Sequence, residues 1–245
     1  MDVTEEPDGE KPLPHRPTTW LEQLPPLILR HTADNLRVLD LTSCKITDDA
    51  IEGIVVHAPK IQTLMLSGCT LLTDKALESI CKLGDHLDVL MLAHVSNITD
   101  KAVVKLTRSC VNLRCIDIAC KSHSMLFNAH LLTLICKVCR NLSDMSVFEL
   151  AELRSLRRLS LVRVHKLTDM AIFALAEHAV GLERLHLSYC DHISLDAVHL
   201  LLQKLDGLRH LTATGIPSMR RKGVQRFSES TSPVSYNYRT NVFVF

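Results

Sequence analysis

The chain has 245 residues, is 47% apolar and only 4% aromatic, and carries 28 Lys and Arg against 27 Asp and Glu, a formal net charge of +1. That balance gives no global electrostatic case for DNA, RNA or an anionic membrane surface, and no run of about 18 apolar residues exists to make a membrane-spanning helix. The first residues lack the apolar stretch of a secretion signal, and nine cysteines, an odd number spread through the chain, read as thiols, so a cytoplasmic or nuclear location is expected.

Residues 1–19 (MDVTEEPDGEKPLPHRPTT) contain four prolines and little apolar content and are expected to be a disordered tail. Residues 20–35 carry Trp20, Leu21, Leu24, Leu27, Ile28 and Leu29 around Pro25-Pro26. They read as a cap over the open end of whatever follows. From Leu36 a unit recurs: L-x-x-L-x-L-x-x-C, then Thr or Ser and a helical stretch. Copies start at Leu36, Ile61, Leu87, Leu113, Leu156, Leu182 and Leu208, at spacings of 25, 26, 26, 43, 26 and 26 residues.

The two leucines of L-x-L share one face of a short strand, because strand side chains alternate. Thr47, Thr73, Thr99, Ser143, Thr168 and Ser194 suit helix N-caps. Asp48, Asp74, Asp100, Asp144 and Asp169 follow, where the helix dipole favours negative charge. Apolar residues then recur at helical spacing, as in Ala76, Leu77, Ile80 and Leu83. Such a strand–turn–helix unit cannot bury its apolar face alone and must stack on its neighbours. With a period in the leucine-rich-repeat range, the expected fold is an α/β solenoid. Parallel strands line its concave face and helices its convex face, over seven repeats from 36 to 227.

The fourth repeat breaks the pattern. The first leucine and the turn cysteine are eight apart in Leu36–Cys44, Ile61–Cys69 and Leu182–Cys190, but Leu113 to Cys139 is 26, an excess of 18. An insertion at about 120–138 therefore enters at a turn. One account is a genuine insertion forming a short helix from His130 to Arg140, which a solenoid loop tolerates. The favoured account is untranslated sequence kept by a faulty gene model, since Cys120-Lys121-Ser122 can be encoded with an embedded GTAAGT, a splice-donor-like string. The last repeat decays at Gly215 and Pro217. Residues 228–245 form a polar tail ending Asn241-Val242-Phe243-Val244-Phe245, either an added edge strand or a frayed end.

Outward strand positions form ladders, because neighbouring strands lie about 4.8 Å apart. The third positions are Val38, Thr63, Val89, Cys115, Arg158, Arg184 and His210. The fifth are Asp40, Met65, Met91, Asp117, Ser160, His186 and Thr212. Arg158, Arg184 and His210 should align, with His186 one step along and Arg163 at the strand exit. Clustered cations repel one another unless something anionic visits, and arginine forks suit phosphate. The competing reading is an ordinary solvated face. At the other end Val38, Val89, Met65 and Met91 suggest either an adaptable apolar contact or residues shielded by neighbours.

The repeat unit resembles the cysteine-containing leucine-rich repeat of F-box/leucine-rich-repeat proteins, most closely the fungal Grr-type members. The stretches carrying it are LRVLDLTSCKITDDAIEGIVVHAPKI (36–61), ITDKAVVKLTRSCVNLR (98–114), residues 142–177 and residues 182–221. The resemblance covers roughly residues 20–227. It implies a substrate receptor of an SCF-type ubiquitin ligase, with no catalytic centre and no cofactor of its own. Phosphorylated or acidic degrons would then be held by Arg158, Arg163, Arg184, His186 and His210 for ubiquitin-dependent degradation. Two departures stand out. Only Leu24-Pro25-Pro26-Leu27-Ile28-Leu29 is F-box-like, too short for a full F-box, and the family has more repeats. The chain thus reads as the C-terminal repeat region of a receptor. A Skp-type adaptor and cullin are implied only if an F-box lies upstream in the full-length protein. The alternative is a general leucine-rich-repeat scaffold unrelated to ubiquitin ligation.

Other constellations read as structural. Cys44, Cys69 and Cys190 sit at the repeat turn, where a small thiol packs and weakly bonds backbone. Cys136-Lys137-Val138-Cys139 has metal-pair spacing, with Cys115, Cys120, His123 and His130 near in sequence, but no second tight pair makes a zinc site. Thirteen histidines include no hydrolase or metalloprotease motif. His57, His86 and His178 recur where helices end, a place that favours a cation.

Overall fold

The structure, a computed structural model, describes residues 35–119, 141–219 and 241–243. The expected N-terminal tail, nearly all of the cap, the insertion at 120–138 and most of the C-terminal tail lie outside those residues. The elements alternate: β1 (Val38–Asp40), α1 (Asp48–His57), β2 (Thr63–Met65), α2 (Asp74–Ile80), β3 (Val89–Met91), α3 (Asp100–Ser109), β4 (Cys115–Asp117), α4 (Asp144–Ala151), β5 (Arg158–Ser160), α5 (Asp169–His178), β6 (Arg184–His186), α6 (Leu195–Lys204), β7 (His210–Thr212) and β8 (Asn241–Phe243). All strands join one parallel sheet in chain order. β8 pairs with β7, so the polar tail ends in an added edge strand. The fold is an α/β leucine-rich-repeat solenoid.

The L-x-L leucines account for the core. From β2 to β7 both apolar residues of the unit turn inward: Leu64, Leu66, Leu90, Leu92, Ile116, Ile118, Leu159, Leu161, Leu185, Leu187, Leu211 and Ala213 are each 2% exposed or less. Leu39 on β1 is only partly buried, because no described element packs on its outer side. Helix residues such as Ile51, Leu77, Val103, Val147, Ile172 and Val198 meet the strand leucines in one continuous core running from Leu41 to Ile216.

The broken repeat leaves this core intact. β4 pairs directly with β5, Cys115 opposite Arg158, and α3 packs on α4. Ala119 and Leu142, the last and first buried residues on either side, are 0% and 2% exposed. The chain departs just after β4 and rejoins just before α4 without opening the stack.

Three sets of bonds repeat along the solenoid. First, the aspartate that opens each of α1 to α5 reaches the next repeat. Asp48 accepts from the Thr73 amide (2.8 Å) and hydroxyl (2.7 Å), and Asp74 from those of Thr99 (2.8 and 2.6 Å). Asp100 serves Ser143 (2.8 and 2.6 Å) and Asp144 serves Thr168 (2.8 and 2.6 Å). Asp169 accepts from the Ser194 amide at 2.6 Å. The sequence explains these carboxylates by the helix dipole; the structure adds a bridge between repeats. The expected caps are mixed: Thr73, Ser143, Thr168 and Ser194 accept from their helix amides, whereas Thr47 and Thr99 do not. Second, the buried thiols of Cys69 and Cys190 donate to the carbonyls of Leu41 (3.1 Å) and Leu161 (3.2 Å) one repeat back. Cys44 is exposed. Third, the eighth residue of the unit is left-handed at Ser43, Gly68, His94, Arg163, Tyr189 and Gly215, with φ from 60° to 80°. The amides of Ser43, Gly68, His94, Arg163 and Tyr189 donate to the following repeat, which holds even bulky residues in a conformation that glycine takes freely.

Candidate functional site

Strand register builds the strand-side surface. Val38, Thr63, Val89, Cys115, Arg158, Arg184 and His210 are successive partners, and so are Asp40, Met65, Met91, Asp117, Ser160, His186 and Thr212. Both ladders follow the order expected from the repeat. A hollow of about 320 Å³ lies across β3 to β7, and Arg158, Arg184, His186 and His210 line it. Met91, Cys115, Asp117, Ser160 and Thr212 also line it. The sequence puts these five on the same ladders but assigns none of them to the anionic ligand; their adjacency to the arginines is the signal.

Arg158 and Arg184 are exposed on directly paired strands. Other arginines are matched to carboxylates: Arg114 with Asp88 at 2.6 Å, Arg108 with Glu149 at 3.2 Å and Arg157 with Glu183 at 3.9 Å. Arg158 and Arg184 make no ion pair among the described residues. Two residues beyond Arg158 on β5, the Ser160 hydroxyl is screened from solvent and has no hydrogen-bond partner among the described residues. His186 is fixed through Nε2 to the Ser188 hydroxyl at 3.0 Å. Asp117 is 7% exposed rather than outward as its ladder position suggests, and its carboxylate accepts from the Ala119 amide at 2.9 Å. Burial pushes the Cys115 thiol up, while the neighbouring Arg158 charge pulls the other way.

Arg163 does not line the hollow. It holds the left-handed turn after β5, and its guanidinium lies over the Tyr189 ring at 4.8 Å, a cation–π contact across repeats. The anion cluster expected from the sequence therefore divides in two. Arg158, Arg184, His186 and His210 share the hollow; Arg163 flanks it at the turn.

At the opposite end Val38 is exposed, and Thr63, Met65, Val89 and Met91 are half-buried. Hydrogen bonds from Thr42 hold the Asp40 carboxyl below its ordinary value. Among the described residues no cluster of three or more His, Cys, Asp or Glu is placed to hold a metal; Cys136 and Cys139 lie outside them. His57 and His178 close helices as expected, with Nδ1 2.7 Å from the Gly53 carbonyl and 3.0 Å from Glu152. No described helix is long and apolar enough to cross a membrane.

The Leucine Rich repeat family model matches residues 34–55. The chain is 36% identical over 80 residues to the SCF E3 ubiquitin ligase complex F-box protein pof2 of Schizosaccharomyces pombe. That match spans 32% of this chain and 17% of the fission-yeast protein. Among solved structures, one from the yeast Rad7 and Elc1 complex aligns with a TM-score of 0.57 and 23% identity, covering 75% of this chain and 43% of that one. Internalin C2 from Listeria monocytogenes aligns at 0.52 with 22% identity, covering 89% and 73%. The two structures share the fold. The fission-yeast protein is similar to a portion of the repeats.

Proposed function

We propose that these repeats are the ligand-holding part of an F-box-type substrate receptor, and that Arg158, Arg184, His186 and His210 grip a phosphorylated or acidic degron of the protein to be ubiquitylated. The observation that carries this reading is the pair of exposed guanidinium groups on adjacent strands, unmatched by any carboxylate among the described residues. Strands about 4.8 Å apart bring two arginine forks within reach of one phosphate. His186 and His210 line the same hollow beside the two arginines. The partial identity to the fission-yeast F-box protein supports the ligase context.

The test is charge reversal. Arg158→Glu with Arg184→Glu is expected to weaken binding of phosphoserine peptides by on the order of 100-fold, since hydrogen bonds to charged groups are each worth about 1.5 kcal/mol at the low end. Both side chains are exposed, so the thermal midpoint should stay within about 2 °C of the parent. Unaltered affinity would sink the reading. The ligase context is tested separately, by asking whether a Skp-type adaptor and cullin co-purify with the full-length protein. Phosphopeptide binding without those partners would leave an interaction scaffold.

A further inference from the structure

The strand-side face is divided along its length. β5 to β7 present Arg158, Arg184 and His210 with Ser160, His186 and Thr212, whereas β1 to β3 present Val38, Thr63 and Val89 with Asp40, Met65 and Met91. Met65 and Met91 are direct register partners and only half-buried, so two flexible thioethers form a surface that reshapes to fit different apolar side chains. Met91 also lines the same hollow as the arginines. Between the halves, on β4, sits Asp117.

We infer that this face is a bipartite peptide site, in which a phosphorylated or acidic residue sits over Arg158 and Arg184 while a large apolar side chain of the same segment packs on Met65 and Met91. This rests on the proposed anion-binding role and adds a second determinant to it. The spacing follows from the sheet. β3 is two strands from β5 and three from β6, a span of roughly 10–15 Å at about 4.8 Å per strand, which an extended peptide covers in about three or four residues. Charge complementarity sets the direction. The acidic group belongs at the arginine end and the apolar side chain at the methionine end. Lysine and arginine at this interval would gain nothing from the methionines, whereas leucine, isoleucine or phenylalanine would.

The experiment uses the whole chain and fluorescein-labelled peptides of glycine, serine and alanine carrying one phosphoserine. Leucine is placed at each position from one to six residues away on both sides, and fluorescence polarisation reads the affinity. Leucine three or four residues from the phosphoserine, on one side only, should tighten binding roughly tenfold over the alanine peptide, the size expected for burying most of a leucine side chain. Met65→Ser with Met91→Ser should bring the ratio of leucine-peptide to alanine-peptide affinity down to about one. A folded double variant, checked by its thermal midpoint, that retains the leucine gain overturns the inference. So does a gain that is absent or indifferent to spacing. In those cases phosphoserine binding that still depends on Arg158 and Arg184 leaves the anion site standing. Failure of every phosphopeptide to bind removes both.

Discussion

Burial of Cys110 and Cys190 pushes each thiol up to about 12, because a thiolate stranded in the core loses its hydration. A group whose folded pKa exceeds its unfolded one stabilises the fold below the unfolded value and stops doing so as pH climbs through the folded one. Unfolding monitored by circular dichroism should therefore show stability falling between about pH 9 and pH 12. Cys110→Ala with Cys190→Ala should flatten that decline, at the expense of some neutral-pH stability from the lost packing. The same burial makes iodoacetamide selective. Exposed Cys44 should be modified in the native protein while Cys69, Cys110 and Cys190 wait for unfolding, as peptide mass mapping would show. A structural role for the turn cysteines was legible from their spacing alone. The carbonyl that each meets was not, because Leu41 and Leu161 lie 28 and 29 residues earlier.

A helix that looks self-contained in sequence turns out to be tied to the next one. Asp144 opens α4 and would be placed there by the dipole alone, yet its two carboxylate oxygens serve the amide and hydroxyl of Thr168. Asp144→Ala strands both donors at a partly buried junction and should destabilise the protein by about 1–3 kcal/mol in urea titrations. Asp49→Ala, in the same turn of α1 but with no such bridge among the described residues, should change stability by about 0.5 kcal/mol or less. Equal losses at the two sites would show that the dipole, not the bridge, accounts for these aspartates. The surface ion pairs between helices, Lys82–Glu52, Lys105–Glu78 and Lys204–Glu177, are all well exposed and contribute little by comparison.

At the scale of the whole solenoid, stability is set by contacts between neighbouring slabs, and β4 pairs with β5 and α3 packs on α4 as the other neighbours do. Deleting residues 121–138 joins Cys120 to Cys139 and restores the seven-residue step from the strand's second core residue to the helix cap, seen from Leu92 to Thr99 and from Leu161 to Thr168. The shortened chain should unfold in one cooperative step with a midpoint within about 4 °C of the parent. Two separate transitions would show that the extra residues help hold the halves together.

The sequence by itself determined the architecture and the order of residues along each ladder, because a period of 25 or 26 residues with an inward L-x-L leaves one way to stack and one face to display. It placed Arg158, Arg184 and His210 side by side correctly for that reason. Only the tertiary structure decided what each displayed group meets: Arg163 drawn onto Tyr189, Asp117 buried against its own turn, Ser160 left without a partner among the described residues, Met91 joined to the arginines in one hollow. Those outcomes depend on side-chain direction and on neighbours one repeat away, and neither is written in the repeating pattern that dictates the backbone.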